Sequence, residues 1–122
     1  MSSNFNIQIL GENLARKHLE DLGYHVLEMN YRSKRWGEID IVATDGDTLV
    51  FVEVKTRTGL IYGAPLEAIT NHKVRKLMRT TQYYISFKKP QQGSYRFEAI
   101  GILLDPVTET VLQFDHVPMG TL

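Results

Sequence analysis

Two β-branched runs, Glu38–Thr44 and Thr48–Thr56, flank Asp45-Gly46-Asp47, and this pairing constrains the fold more than any other feature of the chain. Asp-Gly between β-prone runs signals a tight hairpin, because the favoured two-residue turns need residues that accept positive φ. Alternation places Leu49, Phe51, Glu53 and Lys55 on one face of the second run and Val50, Val52 and Val54 on the other. Both faces carry core residues, so this strand is expected inside a sheet, with Glu53 and Lys55 at the end where the core stops.

A two-residue loop at Gly46-Asp47 pairs Asp45 with Thr48, and counting back from there sets Asp40 opposite Glu53 and Glu38 opposite Lys55. Facing carboxylates with Cβ atoms about 5 Å apart repel one another unless a cation lies between them. The chain has no cysteine, so a metal here must use oxygen or imidazole donors. Two or three carboxylates suit Mg²⁺ or Mn²⁺, which retain water and accept phosphate oxygens. Lys55, on the same face as Glu53, is placed to orient a water or to offset charge developing on a phosphorane. The competing reading is a solvated strand face with a Glu38–Lys55 ion pair. Glu53 sits in a strand that is apolar on both sides and faces Asp40, which favours the metal-dependent phosphodiesterase reading.

Around the hairpin, the spacing of Leu14, Ala15, His18, Leu19 and Leu22 predicts an amphipathic helix between Leu10 and Leu22, ending at Gly23. Tyr24–Tyr31 is β-prone. A second helix is expected from an N-cap at Thr70 to about Ile85, with Val74, Leu77, Met78, Thr81, Tyr84 and Ile85 on its apolar side, ending before Pro90. Tyr95–Leu104 and Thr110–Val117 complete an α-β-β-β-α-β-β order in one domain, residues 1–122. With 43% hydrophobic and 23% charged residues, the composition excludes a disordered or fibrous chain. Residues 1–10 show neither a basic leader nor a long apolar stretch, and the lack of cysteine suits a reducing compartment, so no membrane contact and a cytoplasmic location are expected.

The 14 basic and 14 acidic residues cancel, which excludes a uniformly basic DNA coater, yet the distribution is uneven. The second helix presents Lys73, Arg75, Lys76 and Arg79, and no acidic residue occurs from Asn71 to Lys89. Such a face can track phosphates. Arg32, Lys34 and Arg35, beside Trp36, form a second candidate contact, and Arg57 follows the Glu53–Lys55 strand. Trp36 is expected to be core or rim rather than a base-stacking platform. The four histidines are scattered, so no imidazole metal cluster is expected.

Ile39-Asp40 together with Glu53-Val54-Lys55 resembles the signature of the PD-(D/E)XK nuclease superfamily. A wider set of residues is similar to the YraN-like family of small bacterial proteins: Gly11-Glu12, Asn30-Tyr31-Arg32, Gly37 to Val42, Asp45-Gly46, Leu49 to Arg57, Tyr62-Gly63, Pro65, Glu67-Ala68-Ile69 and Arg96-Phe97-Glu98. The resemblance runs from about Gly11 to Ile102. It implies a restriction-endonuclease-like α/β fold, a mixed sheet flanked by helices, similar to archaeal Holliday-junction resolvases. It further implies Glu12, Asp40 and Glu53 as carboxylates for Mg²⁺ or Mn²⁺, Lys55 as the catalytic lysine, DNA as substrate, branched DNA included, and a homodimer. A non-catalytic nucleic-acid-binding module on the same scaffold is the alternative. Two positions depart from the pattern: Ile39 stands where the superfamily has proline, and Glu98 where the family has aspartate. Glu12 lies at the border of its helix's apolar arc, from which a side chain can reach a cleft, while a first-turn glutamate favoured by the helix dipole is the plainer reading.

Overall fold

The computed structural model describes residues 3–59 and 63–121; Tyr62, from the Tyr62-Gly63 pair, lies outside them. The elements follow the expected order: α1 (Asn4–Asp21), β1 (His25–Ser33), β2 (Gly37–Asp45), β3 (Thr48–Thr58), a 3₁₀ turn (Pro65–Ala68), α2 (Asn71–Lys88), β4 (Ser94–Leu104) and β5 (Val111–Thr121). The five strands form one sheet in the order β1-β2-β3-β4-β5. β1, β2 and β3 are an antiparallel meander, β3 and β4 are parallel, and β5 returns antiparallel. A parallel neighbour cannot be reached by a tight turn, so the chain crosses over through the 3₁₀ turn and α2.

This is the mixed sheet flanked by helices that the sequence led us to expect, with β3 at its centre. One face buries Val50, Val52 and Val54 under Ala15 and Leu19 of α1. The other buries Leu49 and Phe51 under Leu77 and Tyr84 of α2. The β2–β3 register is the one set by the turn, from Asp45↔Thr48 to Ile41↔Val52. Among the described residues no helix is long and apolar enough to cross a membrane.

Two helical details differ from expectation. α1 begins at Asn4, capped by the Ser3 hydroxyl, which accepts the Asn6 amide at 3.2 Å. Its buried residues are Ile7, Gly11, Glu12, Ala15 and Leu19, so the buried stripe is rotated away from Leu22, which is exposed. The cause is a glycine contact rather than an apolar one. A Cβ on Gly11 would stand 2.9 Å from the Thr56 Cβ and closer still to its Oγ1, so α1 approaches β3 at a distance only glycine allows. α2 starts where predicted, with the Thr70 hydroxyl accepting the Lys73 amide at 3.3 Å, and ends at Lys89 in the left-handed conformation before Pro90.

A reversal in the β1–β2 ladder positions the site. Ile41 and its partner Met29 pack with the α1-side core, whereas Ile39 and its partner Tyr31, two residues away, pack with the α2-side core. Residues two apart on a regular strand share a face, so both strands change face between these pairs. The residues between them are Asn30, whose φ is +54°, and Asp40. Asparagine tolerates the left-handed region, while a β-branched residue there costs at least about 1–2 kcal/mol. Asn30→Val is therefore expected to destabilise the protein by about that amount, and Asn30→Gly to leave it nearly unchanged, in urea denaturation. Equal midpoints for the two variants would show that the left-handed turn at Asn30 carries no strain.

Candidate active site

β2 and β3 stop pairing after Ile41↔Val52, one step before Asp40 and Glu53. There the Asp40 side chain replaces the ladder: its Oδ2 accepts the Val54 amide N–H at 2.7 Å. The other backbone group of Val54, its carbonyl, accepts the Gln8 side-chain amide at 3.2 Å, and the same Gln8 nitrogen donates to Glu12 Oε2 at 3.0 Å. A side chain from β2 and another from α1 thus hold Val54 on both backbone sides. Gln8 carries no signal in the sequence that would have singled it out; only the close seating of α1 at Gly11 brings it over β3.

Asp40 is 9% exposed and Glu12 6%. Burial, followed by the neighbouring Glu53 carboxylate and then by Glu12, pushes the Asp40 carboxyl up to about 8, against the opposing pull of the Val54 amide and the Lys55 ammonium. Asp40, Glu53, Glu12 and Lys55 therefore share one electrostatic neighbourhood. The Lys55 ammonium lies 3.2 Å from Glu53 Oε1, with both side chains about one-fifth exposed. Glu38 does not reach Lys55; it pairs with Arg32 across the β1–β2 ladder at 2.9 Å. That removes the solvated-face pair, because Arg32 is directly opposite Glu38. Glu12 sits in the third turn of α1, beyond the reach of the N-terminal dipole, so the first-turn reading of it falls as well.

The three carboxylates each take a different donor: Val54 N–H for Asp40, Lys55 for Glu53, Gln8 for Glu12. Among the described residues no group of three His, Asp or Glu side chains is drawn together as a closed metal cage. The donor set nevertheless fits a hard divalent cation that is held by one or two carboxylates and completes its shell with water and phosphate. Asp40 and Glu53 would hold it, with Glu12 behind them. The 3₁₀ turn forms a wall nearby, since Pro65 and Leu66 pack over Gly101, the β4 partner of Lys55.

Glu98 is placed elsewhere. It is buried, and it accepts Tyr24 Oη at 3.0 and 3.1 Å, Arg96 Nε at 2.6 Å and His116 Nε2 at 2.7 Å. Arg96 continues to Asp45 at 2.8 Å, and the His116 Nδ1 meets His18 Nε2 at 3.1 Å. This network ties α1 and the loop after it to β2, β4 and β5, a bracing role rather than a catalytic one. Burial, and then the neighbouring His116, hold His18 below its usual imidazole range.

The basic residues divide between places. Arg35, Arg75, Lys76 and Arg79 line one cleft of about 310 Å³ together with Trp36 and His72. Trp36 is a half-buried rim residue with the Arg35 and Arg79 guanidinium carbons 5.1 and 6.0 Å from its ring centre, and its carbonyl accepts Thr80 Oγ1 at 2.9 Å. The Lys76 stem covers Gly37, which begins β2 about 10 Å before Asp40. Arg57 lines a different cleft, of about 460 Å³, with Asn4, Gln8 and Thr56, and its guanidinium donates to the Thr56 carbonyl at 3.0 Å. Lys34 and Lys73 are exposed outside both clefts, and Arg32 is committed to Glu38.

A family model described as "Uncharacterised protein family UPF0102" matches residues 11–102. Similar relatives include a UPF0102 protein of Syntrophus aciditrophicus (strain SB), 42% identical over 87% of this chain and 83% of its own length. Another, from Clostridium botulinum (strain Loch Maree / Type A3), is 46% identical over 84% of this chain and 83% of its own. A third, from Rhodococcus opacus (strain B4), is 38% identical over 96% of this chain and 97% of its own. The matched segment begins at the α1 contact with β3 and ends within β4, and so includes Glu12, Asp40, Glu53 and Lys55: the chain belongs to the UPF0102 family.

Proposed function

We propose that this chain is a Mg²⁺- or Mn²⁺-dependent endonuclease that hydrolyses DNA phosphodiesters, branched DNA among its substrates. One observation carries the reading: where β2 and β3 part, the buried Asp40 carboxyl lies within the field of the Glu53 and Glu12 carboxylates, with an ammonium 3.2 Å from Glu53. A buried carboxyl kept from ionising by its acidic neighbours is the kind of group that a bound divalent cation would stabilise in its charged form.

A divalent ion bound there would supply Lewis acidity towards the phosphoryl oxygens. Asp40 and Glu53 would bind it, Glu12 and Gln8 would keep the α1 side of the site in place, and the Val54 backbone would fix the Asp40 carboxylate. Lys55 would orient the attacking water and offset charge on the phosphorane as the new P–O bond forms and the ester P–O bond breaks, the attacking water giving up its proton to solvent and the leaving oxygen taking one from a second water. The cleft beside Gln8 and Arg57 offers the adjoining phosphates a cation, and the cleft on α2 offers four more. Two chains acting together, one on each strand, belong to the same proposal. A second reading, a binding module without catalysis, draws on that second cleft, whose cations stand apart from the carboxylates.

With linear, single-stranded and four-way-junction DNA, wild-type protein is expected to cleave in Mg²⁺ or Mn²⁺ and not in chelator. Asp40→Asn and Lys55→Ala should each lower the rate by about 10²-fold or more while DNA binding persists. Wild-type binding without cleavage on every substrate would leave the binding module standing and remove the enzyme.

The carboxylate cluster also sets a pH dependence. Asp40 is raised from 3.8 to about 8 in the folded chain, so folding favours its protonated form. Its contribution to stability is complete at low pH and is lost as pH rises through about 8. In metal-free buffer at pH 8, Asp40→Asn is expected to melt a few degrees above wild type, since the asparagine oxygen still accepts the Val54 amide; the gap should narrow as pH falls and nearly close at about pH 3, below the ordinary carboxyl value of 3.8. Adding Mn²⁺ at pH 8 should raise the melting temperature of wild type and not of Asp40→Asn. A variant that responds to Mn²⁺ like the wild type would exclude Asp40 as a ligand.

A further inference from the structure

Tyr83 and Phe87 are exposed on α2, 39% and 69%, and their rings lie parallel with centres 6.0 Å apart. Their neighbour Tyr84 behaves as a core residue should, buried edge-on against Tyr31 and Phe51. Tyr83 and Phe87 thus present ring surface to solvent along the same helix as the cations. At 100° per residue, His72, Lys76, Arg79, Tyr83 and Phe87 fall within about 80° of one another, a single stripe along α2. The first three line the Trp36 cleft, with Arg35 and Arg75 at its side. No carboxylate pairs with Lys73, Arg75, Lys76 or Arg79 among the described ion pairs, whereas Lys88, off the stripe, pairs with Glu28 at 3.9 Å. The stripe runs about 22 Å from His72 to Phe87, long enough to follow several nucleotides of an extended strand.

We infer that this stripe binds a single-stranded segment of nucleic acid, its phosphates on Arg35, Arg75, Lys76 and Arg79 and its unpaired bases on the faces of Tyr83 and Phe87. Cations followed by open aromatic faces suit a strand whose bases are free to stack; a paired duplex keeps its bases inside and offers those rings nothing. The cations exclude an acceptor-poor apolar partner at the cleft end, and the rings distinguish the stripe from a plain phosphate track. The inference deepens the proposed function and rests on its nucleic-acid-binding half: the substrate class is DNA with an unpaired segment, such as an overhang, flap or opened junction arm.

Fluorescence anisotropy with a short oligothymidylate and a blunt duplex of equal length tests it, in chelator so that cleavage plays no part. Replacing Tyr83→Gln together with Phe87→Gln keeps helix propensity and leaves the buried Tyr84 in place, and circular dichroism with urea denaturation checks that the fold is kept. The double variant is expected to lose about tenfold or more in affinity for the oligothymidylate and less than about twofold for the duplex. Arg75→Ala is expected to weaken both and to lower the salt slope by about one. Equal losses on both probes, no loss on either, or a change in sedimentation from dimer to monomer with DNA binding intact would each overturn the inference, the last assigning the rings to self-association. Preferential binding of the single strand in a protein that never cleaves would remove the nuclease and keep this stripe. Cleavage without single-strand preference would do the reverse.

Discussion

The bond from the Val54 amide to the Asp40 carboxylate is the interaction on which the rest of the site depends. In a continued ladder that N–H would be met by the β2 backbone. Here a side chain meets it, so the strands can separate without leaving a buried donor unsatisfied, a defect that costs about 1–3 kcal/mol. Separation in turn opens the end of the sheet to Glu53 and Lys55. The change of face at Asn30 and Asp40 is the geometric condition for that bond, and Gln8 completes it from α1 by holding the Val54 carbonyl.

The electrostatics follow from that arrangement. A carboxylate that accepts a buried amide would ordinarily ionise more easily, yet burial and the adjacent Glu53 outweigh the bond and raise Asp40 instead. The neutral charge total conceals this organisation. All 14 basic residues lie within residues 1–96, the last 26 residues carrying four carboxylates and no Lys or Arg. Of those four, Glu98 is absorbed by Arg96, Tyr24 and His116 in the brace behind the sheet. The cations left over gather on α2 and at the β1–β2 turn, next to the strand that carries Asp40.

How much of this was legible in the residues depends on the range of each interaction. The hairpin register, the two packed faces of β3, the cap at Thr70 and the order of elements come from local turn chemistry and from periodicity. Neighbours in sequence decide them, so the residues alone specify them. The direction in which α1 faces the sheet was not legible, since its seat is a missing side chain at Gly11 rather than an apolar one. Nor was the partner of Glu38, which the β1 register gives to Arg32. The basic groups on α2 and at Trp36 stand far apart in sequence; only the fold lines one cleft with four of their cations and assigns Arg57 to another.

By itself the sequence determined that a two-faced central strand would carry Glu53 and Lys55 to the edge of the core, with Asp40 on the adjacent strand. Period-two alternation and a two-residue turn leave no other register that buries the valines. The tertiary structure decided how those carboxylates are held: the change of face at Asn30, the release of β2 from β3, and the approach of Gln8 and Glu12 through Gly11. These are contacts between residues up to 46 positions apart, as Gln8 and Val54 are, and no local pattern encodes which of many polar side chains will meet a particular backbone amide or carbonyl.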